Sequence, residues 1–505
     1  MATFTYLLQI DFDGEVRGYS HTTPQLVDGI AFGSGLMDLS LPARTAPLFG
    51  FGGAGGDLGF ALNLNQTDVF DLQQKGVRLQ RSGVRCWAWL EGQTLDEAVE
   101  IFRGEMRSPT FDFAAGTMSA RAGAPAFVSD VPFPPTRIGD DGRFAAFANI
   151  PDGSLRLAVP VIYGTVTGSP LIPLEPDPGF PGTAVFVVAG HNLVEQTITV
   201  AAGGVTGGGY AVQNDGVDSL GQRYAYINVT GNPGGDYDLD LYAVSVEGKP
   251  APDGGAIELL GDVLIDMWLS FGRGEFFDLD RKRVYSSQPL LNRYRVGALF
   301  NTRTEGQTLI DLLNTRFAQQ YPVIFGPQNG QFGWDAVFIP PATEPPVLTI
   351  IYDQNVHQRG AFGRSDAGQV RNRFEVQYAQ DYYEASSLST RRLDETNDGV
   401  CRGSVSRWGQ SPVHSWVAAD VPDDGTAYLL AEDEARRLSK VRWQVSYGLA
   451  DPLILQLPLL GVVVVTDQWI DEDGTKRTLW VEKKFLIEGL VPELSGRVGL
   501  QLVEL

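Results

Sequence analysis

Apolar and polar residues alternate around a glycine-bearing turn at both ends of this chain. Near the front, Ile101-Phe102-Arg103-Gly104-Glu105-Met106 leads through a turn into Gly116-Thr117-Met118-Ser119-Ala120. At the back, Phe485-Leu486-Ile487-Glu488-Gly489-Leu490-Val491 leads through Ser495-Gly496 into Arg497-Val498-Gly499-Leu500-Gln501-Leu502. A period of two puts successive side chains on opposite faces, so both stretches predict half-buried antiparallel strands. Two similar β units then bracket a mixed middle, and a chain carrying one unit twice can build a ring with twice as many units as subunits.

A chain of 505 residues exceeds what one hydrophobic core usually serves, which predicts three or four domains. Apolar residues at 43% and charged residues at 20% fit a folded chain rather than a disordered one. Glycine at 59 and proline at 30 suit a β-rich fold with many turns. The formal net charge is -22, and the longest basic cluster is Arg281-Lys282-Arg283, so tight binding to a phosphate backbone is excluded as an expectation. An acidic wall is still compatible with DNA passing along it without sticking. Of the two cysteines, Cys86 lies on an apolar strand face with Val84, Ala88 and Leu90, where a thiol acts as a small hydrophobe, and with Cys401 it suggests no disulfide framework. The first residues lack the basic and apolar regions of a secretory leader, and no apolar run approaches bilayer length. Synthesis in a cytoplasm and no membrane insertion are the expectations.

The opening strand is legible from Tyr6, Leu8, Ile10 and Phe12 on one face against Gln9, Asp11 and Asp13 on the other. Further strands are predicted at 77–80, 84–90 and 99–106, making residues 1–125 one β domain. Thr94 and Glu97 have capping-box spacing, but the alternation after them favours a strand. Proline, glycine and aspartate mark a connection over 125–151. Strands at 155–163, 184–188, 197–201, 224–229 and 237–246, separated by glycine-rich turns, predict an inserted β-sandwich over 126–252. In the mixed α+β region 253–425, Ile257, Leu260, Leu264 and Trp268 form a helical stripe after Asp253 as N-cap. A second helix is predicted from Thr304, with Gln307 completing a capping box and Leu309, Leu312, Leu313 and Phe317 as its buried face. Strands are expected at 295–300 and 372–378. The last domain, 426–505, opens with a helix over 426–440 whose Glu432, Asp433 and Glu434 precede Arg436, Arg437 and Lys440, the order a helix dipole favours. It then returns to β, with strands at 462–466 and 478–485 around the hairpin signal Asp473-Gly474.

Chemistry-bearing motifs are sparse. His21, His191, His357 and His414 are scattered without zinc-ligand spacing. Gly50-Phe51-Gly52-Gly53-Ala54-Gly55 matches G-x-G-x-x-G, yet no strand-then-helix context surrounds it, and a flexible turn explains it better. Asp236, Asp238 and Asp240 alternate along a strand, where calcium could use them; without the glycine and glutamate spacing of a calcium loop, a wet sheet face is the simpler reading. No G-x-S-x-G elbow, P-loop or nucleophile–base pair stands out, and no pair of the 61 acids is singled out for glycoside hydrolysis. No catalytic, cofactor-binding or metal-binding residue is assigned, and no cofactor is expected.

Taken in order, Ala158-Val159-Pro160-Val161-Ile162-Tyr163-Gly164, the helix and strand block from Gly254 to Phe317, Asn372-Arg373-Phe374-Glu375-Val376-Gln377-Tyr378, and the closing hairpins from Val462 to Leu505 resemble the hub proteins at the tip of bacteriophage tails. The resemblance spans most of the chain, and the order of the segments carries it. It implies a mainly β fold with an α+β middle, in which two tube-like β-barrel domains bracket an inserted β-sandwich and a mixed α/β region. It also implies a non-enzymatic virion protein of the tail tip: a homotrimer whose six terminal domains make a pseudo-sixfold ring, joining the tail tube or distal tail proteins to a tip, fibre or spike protein and lining the DNA channel. The 126–252 insertion departs from the minimal pattern, and contact with tip proteins or with host-surface sugar is open for it. The alternative from another class is a carbohydrate-binding or glycoside-cleaving β protein, for which 9 tryptophans and 17 tyrosines would supply stacking platforms. A third is a cytoplasmic scaffold, monomeric or dimeric.

Overall fold

In the computed structural model, residues 4–46, 57–107, 109–123, 132–139, 142–145, 147, 150–176, 183–194, 199–202, 210–218, 220–230, 241–272, 279–301, 307–328, 331–340, 343–356, 358–470 and 475–505 are described. The Gly50–Gly55 stretch, the Asp236–Asp240 alternation, Thr304 and His357 lie outside them. The first strand, β1 (Thr5–Phe12), buries Tyr6, Leu8, Ile10 and Phe12 as its alternation requires. Asp13 and Gly14, both at positive φ, turn it into β2 (Glu15–Ser20), the two-residue hairpin whose twist matches its strands. There follow β3 (Gln25–Val27), β4 (Ile30–Ser34), β5 (Leu36–Ser40), β6 (Arg44–Thr45), β7 (Leu58–Asn63), helix α1 (Val69–Gln74), β8 (Gly83–Trp89), β9 (Val99–Met106), β10 (Thr110–Asp112) and β11 (Thr117–Gly123). Residues 77–80 are loop rather than strand: Val77 donates back to the Leu72 carbonyl, closing the turn after α1. The sheet runs β3-β4-β2-β1-β8-β9-β11-β7-β5. Because β5 is one edge of that order, β4 lies next to the other edge, and only Gly35 separates the two in sequence, the sheet is rolled.

The middle begins with β12 (Val161–Tyr163), β13 (Thr165–Pro170), β14 (Ile172–Pro176), β15 (Thr183–Ala189), β16 (Thr199–Ala202), β17 (Tyr210–Val217), β18 (Arg223–Thr230) and β19 (Leu241–Glu247). Strands β14-β15-β18-β17 make one sheet, while β16, β19 and β13 belong to a second. Val166 and Val246 of the second sheet share a core with Phe186, Val188 and Ile227 of the first. Helix α2 (Leu260–Phe271) buries Leu260, Leu264 and Trp268 together with Val263 and Met267. Its N-cap is Leu259, without a side-chain cap; Asp253 instead accepts from the Gly255 amide in the turn ahead. Helix α3 (Arg281–Leu291) is capped by Asp280. After β20 (Ala298–Phe300), helix α4 (Leu309–Leu312) continues through a π turn at Leu313–Phe317 into α5 (Ala318–Gln320). Thr308 and Asp311 form its capping box, four residues on from the predicted Thr304 and Gln307, and Leu309, Leu312, Leu313 and Phe317 are buried as expected. A hairpin of β21 (Val323–Gln328) and β22 (Gln331–Ala336) follows.

The last part comprises β23 (Leu348–Ile351), α6 (Tyr352–Asn355), β24 (Gln358–Arg364), β25 (Phe374–Asp381), β26 (Ser386–Leu393), α7 (Gly399–Trp408), β27 (His414–Ala418), α8 (Asp424–Leu438), β28 (Trp443–Leu449), β29 (Val462–Ile470), β30 (Lys476–Glu493) and β31 (Arg497–Glu504). Strands β25 to β27 extend the sheet of β13. The other β strands form a sheet in the order β23-β29-β30-β31-β28-β24. Here the two edge strands themselves, β23 and β24, are neighbours in sequence, so α6 crosses from one edge to the other.

Two expectations are corrected here. No sheet among the described residues closes into a barrel: both terminal sheets are rolled but open, and a chain crossing rather than a continuous ladder links one side of each to the other. The likeness of the two ends also stops at the residues. β30 and β31 form a direct hairpin, whereas β10 intervenes between β9 and β11, and β11 takes β7 as its main partner. The two sheets share one core in which Tyr6, Leu36 and Phe102 join Ile454, Leu490 and Val498. Strand β6 belongs to the far sheet: Thr45 and Arg44 pair with Gly489 and Leu490, and the Ala46 amide donates to the Glu488 carbonyl at 2.8 Å.

Candidate assembly surface

The outer edges of β3 and β5 in the first sheet, and of β23 and β24 in the last, carry no described partner strand. Unpaired edges are templates for another chain unless they are blunted. Three of them carry a large exposed apolar side chain among polar ones: Leu26 on β3 is 75% exposed, Met37 on β5, beside exposed Asp38 and Ser40, 53%, and Phe362 on β24, beside exposed Gln358 and Arg364, 44%. Phe362 stacks on Trp443 at 5.0 Å and lies 5.6 Å from Trp480, so the exposed ring is held rather than loose. Arg364 sits over Trp443 at 4.2 Å, adding charge to the same edge.

Behind these edges, buried ion pairs fix the shape. In the last sheet Arg359 of β24 donates to Asp467 of β29 and, at 2.9 Å, to the Gln468 carbonyl. Asp467 is fully buried, at a register shift that breaks the β29–β30 ladder, and also accepts from the Tyr447 hydroxyl at 2.7 Å. Burial, with that hydrogen bond, pushes the Tyr447 hydroxyl well above its ordinary pKa. In the middle, fully buried Asp420 receives Arg316 (2.7 Å from Nε), Gln320 (2.9 Å) and Tyr382 (2.6 Å). Between the terminal sheets, Arg44 donates to the Leu455 and Leu457 carbonyls at 2.9 and 3.1 Å, and burial lowers its pKa to about 10. Each network draws on distant segments and ties them together, although Arg44 Nε and Arg359 Nε are buried without a hydrogen-bond partner in the protein.

No protein-family model and no curated protein matches the sequence. Three solved structures are similar to it. A chain from the virion of a native gene transfer agent particle aligns with 71% of this chain and 86% of its own at 11% identity and a TM-score of 0.42. A tail protein from Neisseria meningitidis MC58 aligns over 99% and 96% at 10% identity and a TM-score of 0.39. The 43 kDa tail protein of prophage MuSo2 from Shewanella oneidensis aligns over 100% and 98% at 11% identity and a TM-score of 0.32. Scores below one half do not define a shared fold, so the weight stays on the geometry.

Among the described residues no group of three or more His, Cys, Asp or Glu side chains is placed to hold a metal. His191 accepts from the Ile162 amide at 2.9 Å, and burial lowers its pKa to about 4, making it a neutral structural ring. Both cysteines are buried free thiols, and burial pushes Cys401 up to about 12, out of the nucleophilic range. Tryptophans 87, 89, 268, 334 and 480 are core residues, which removes most of the stacking platforms a sugar site would need. The sequence reading passed over the polar networks altogether: Arg359 and Asp467 lie 108 positions apart, and no local spacing signals such a pair.

Proposed function

We propose that this chain is a non-enzymatic structural protein of a phage-type tail, acting as a trimeric hub at the tail tip. What supports the reading most is the pair of rolled sheets that share one core and leave their β3, β5, β23 and β24 edges unpaired. Association through such edges satisfies main-chain donors and acceptors that a lone chain leaves to water, and a ring closes the series without leftover edges. The differing strand orders mean that the six places of the ring alternate between two kinds of unit, one from each end of the chain. In this reading the ring joins the tail tube or a distal tail protein to a tip or spike, and its acidic lumen, drawn from a net charge of -22, lets DNA pass. The inserted sheets over 126–252 face outward to neighbouring tip proteins.

Mass photometry with negative-stain imaging of the purified chain tests it. Particles of three 54.9 kDa chains with a central hole are expected. A compact monomer, or one that retains or cleaves polysaccharide, overturns it.

A further inference from the structure

A cavity of about 80 Å³ lies between the residues following α5, strand β27 and helix α8. Tyr321, Trp416 and Leu430 give it apolar walls, and His414, Asp433 and Glu434 border it. Most of its polar neighbours are already engaged. The Gln320 amide is spent on Asp420, donating to its carboxylate at 2.9 Å and accepting from its amide at 2.8 Å. Asp433 accepts from the buried Tyr294 hydroxyl and faces Arg293 at 3.6 Å. Glu434 is different: Oε1 faces Arg437 Nη2 at 3.2 Å, while Oε2 is buried with no hydrogen-bond partner in the protein.

Burial raises the Glu434 pKa, the mark of a carboxylate short of partners, so the site favours a cationic donor that reaches the open oxygen and restores the charged form. A water molecule bonded to Glu434 Oε2 would still leave Tyr321, Trp416 and Leu430 facing a polar atom. The better occupant has one donor end and a hydrocarbon body. We propose that this cavity binds a small primary ammonium ion, one N–H donating to Glu434 Oε2, the charge near the Trp416 ring and the stem against Leu430 and Tyr321. On the ~30 Å³ share of a water, the space takes about three such groups, which sets the ligand at ethyl- or propylammonium size. A desolvated ammonium against an indole face adds cation–π attraction. His414, whose ring centre is 5.3 Å from that of Trp416, does not compete as a cation, because burial and then Arg437 and Arg371 lower its pKa.

The test is saturation-transfer NMR on the full chain with propylammonium chloride, with 1-propanol as the neutral isostere and sodium chloride matching ionic strength. Millimolar binding of the ammonium is expected, with transfer to its methylene protons at least tenfold above that to propanol. Glu434→Gln should weaken binding tenfold or more, and Leu430→Phe, which fills the cavity and keeps the carboxylate, should abolish it. Circular dichroism of both variants establishes that they fold; a misfolded Glu434→Gln leaves Leu430→Phe to decide. Equal signals for ammonium and propanol, absent signal for both, or binding indifferent to a folded variant overturns the proposal.

Discussion

Arg359, on the β24 edge of the last sheet, is hydrogen-bonded to Asp467 on β29, next to the opposite edge of the same sheet. Four strands' width separates them along the ladder, yet the roll brings them into contact. Tyr352, from the α6 crossing, places its ring 4.3 Å from the same guanidinium.

Removing Arg359 leaves a fully buried Asp467 carboxylate with Tyr447 as its remaining side-chain donor. Arg359→Ala is expected to lower stability by about 3 kcal/mol, the range for breaking one partner of a buried pair. Urea denaturation measures it, and a loss below about 1 kcal/mol would show that the roll does not depend on the pair.

At Asp420, Tyr382 donates its hydroxyl to the carboxylate and also lies 3.0 Å from the Gly297 carbonyl. Tyr382→Phe keeps the ring and removes both contacts, along with the bond the hydroxyl accepts from Arg316 at 3.1 Å, for an expected loss of about 1–3 kcal/mol. An unchanged denaturation midpoint would mean that the Arg316 and Gln320 contacts suffice without it.

His191 predicts a pH dependence. Its folded pKa of about 4 lies below the ordinary ~6.5, so between these values the unfolded chain binds the proton and the folded chain does not. Stability is therefore full above about pH 6.5 and falls as pH drops toward 4, by about 2 to 3 kcal/mol. Denaturation midpoints across this window should lose most of that slope in His191→Gln; an unaltered slope assigns it to other groups.

Gly164 joins β12 to β13 at φ +59°, and a Cβ there would come 1.8 Å from the Val296 carbonyl oxygen. Backbone must move to admit it, and the positive φ adds strain. Gly164→Ala should cost more than about 3 kcal/mol or prevent soluble expression, whereas Gly14→Ala, also at positive φ but in open space, should cost about 1–2 kcal/mol. Similar melting temperatures for the two would contradict the clash.

Local periodicity made much of this fold legible. Tyr6 to Phe12 and Leu309 to Phe317 bury the faces that their spacing predicts, because one-sided burial leaves a direct imprint on neighbouring residues. Helix α3 left no such imprint: Arg281, Lys282, Ser286 and Gln288 dominate it, and Pro289 lies inside it. Helix α7 is similarly obscured by Gly399, Gly403 and two serines, although Asp398 caps it. Rolling of the terminal sheets is set by pairings between remote strands, so alternation identified most of their strands but not how the sheets end, and the closed barrels that the resemblance implied are not formed. For the same reason Glu434 reads in sequence as one acid of an ordinary amphipathic helix, and only the neighbouring turn and strand leave its oxygen stranded.

The two-residue strand at Arg44–Thr45 sets an order for folding. It leaves the ribosome more than 400 residues ahead of its pairing partners, Gly489 and Leu490. Throughout synthesis the early part of the chain must wait with those main-chain groups unmatched, which is a slow, high-contact-order route. A product cut short before residue 489 would keep that vacancy, exposing incomplete copies to degradation before they could be built into a particle.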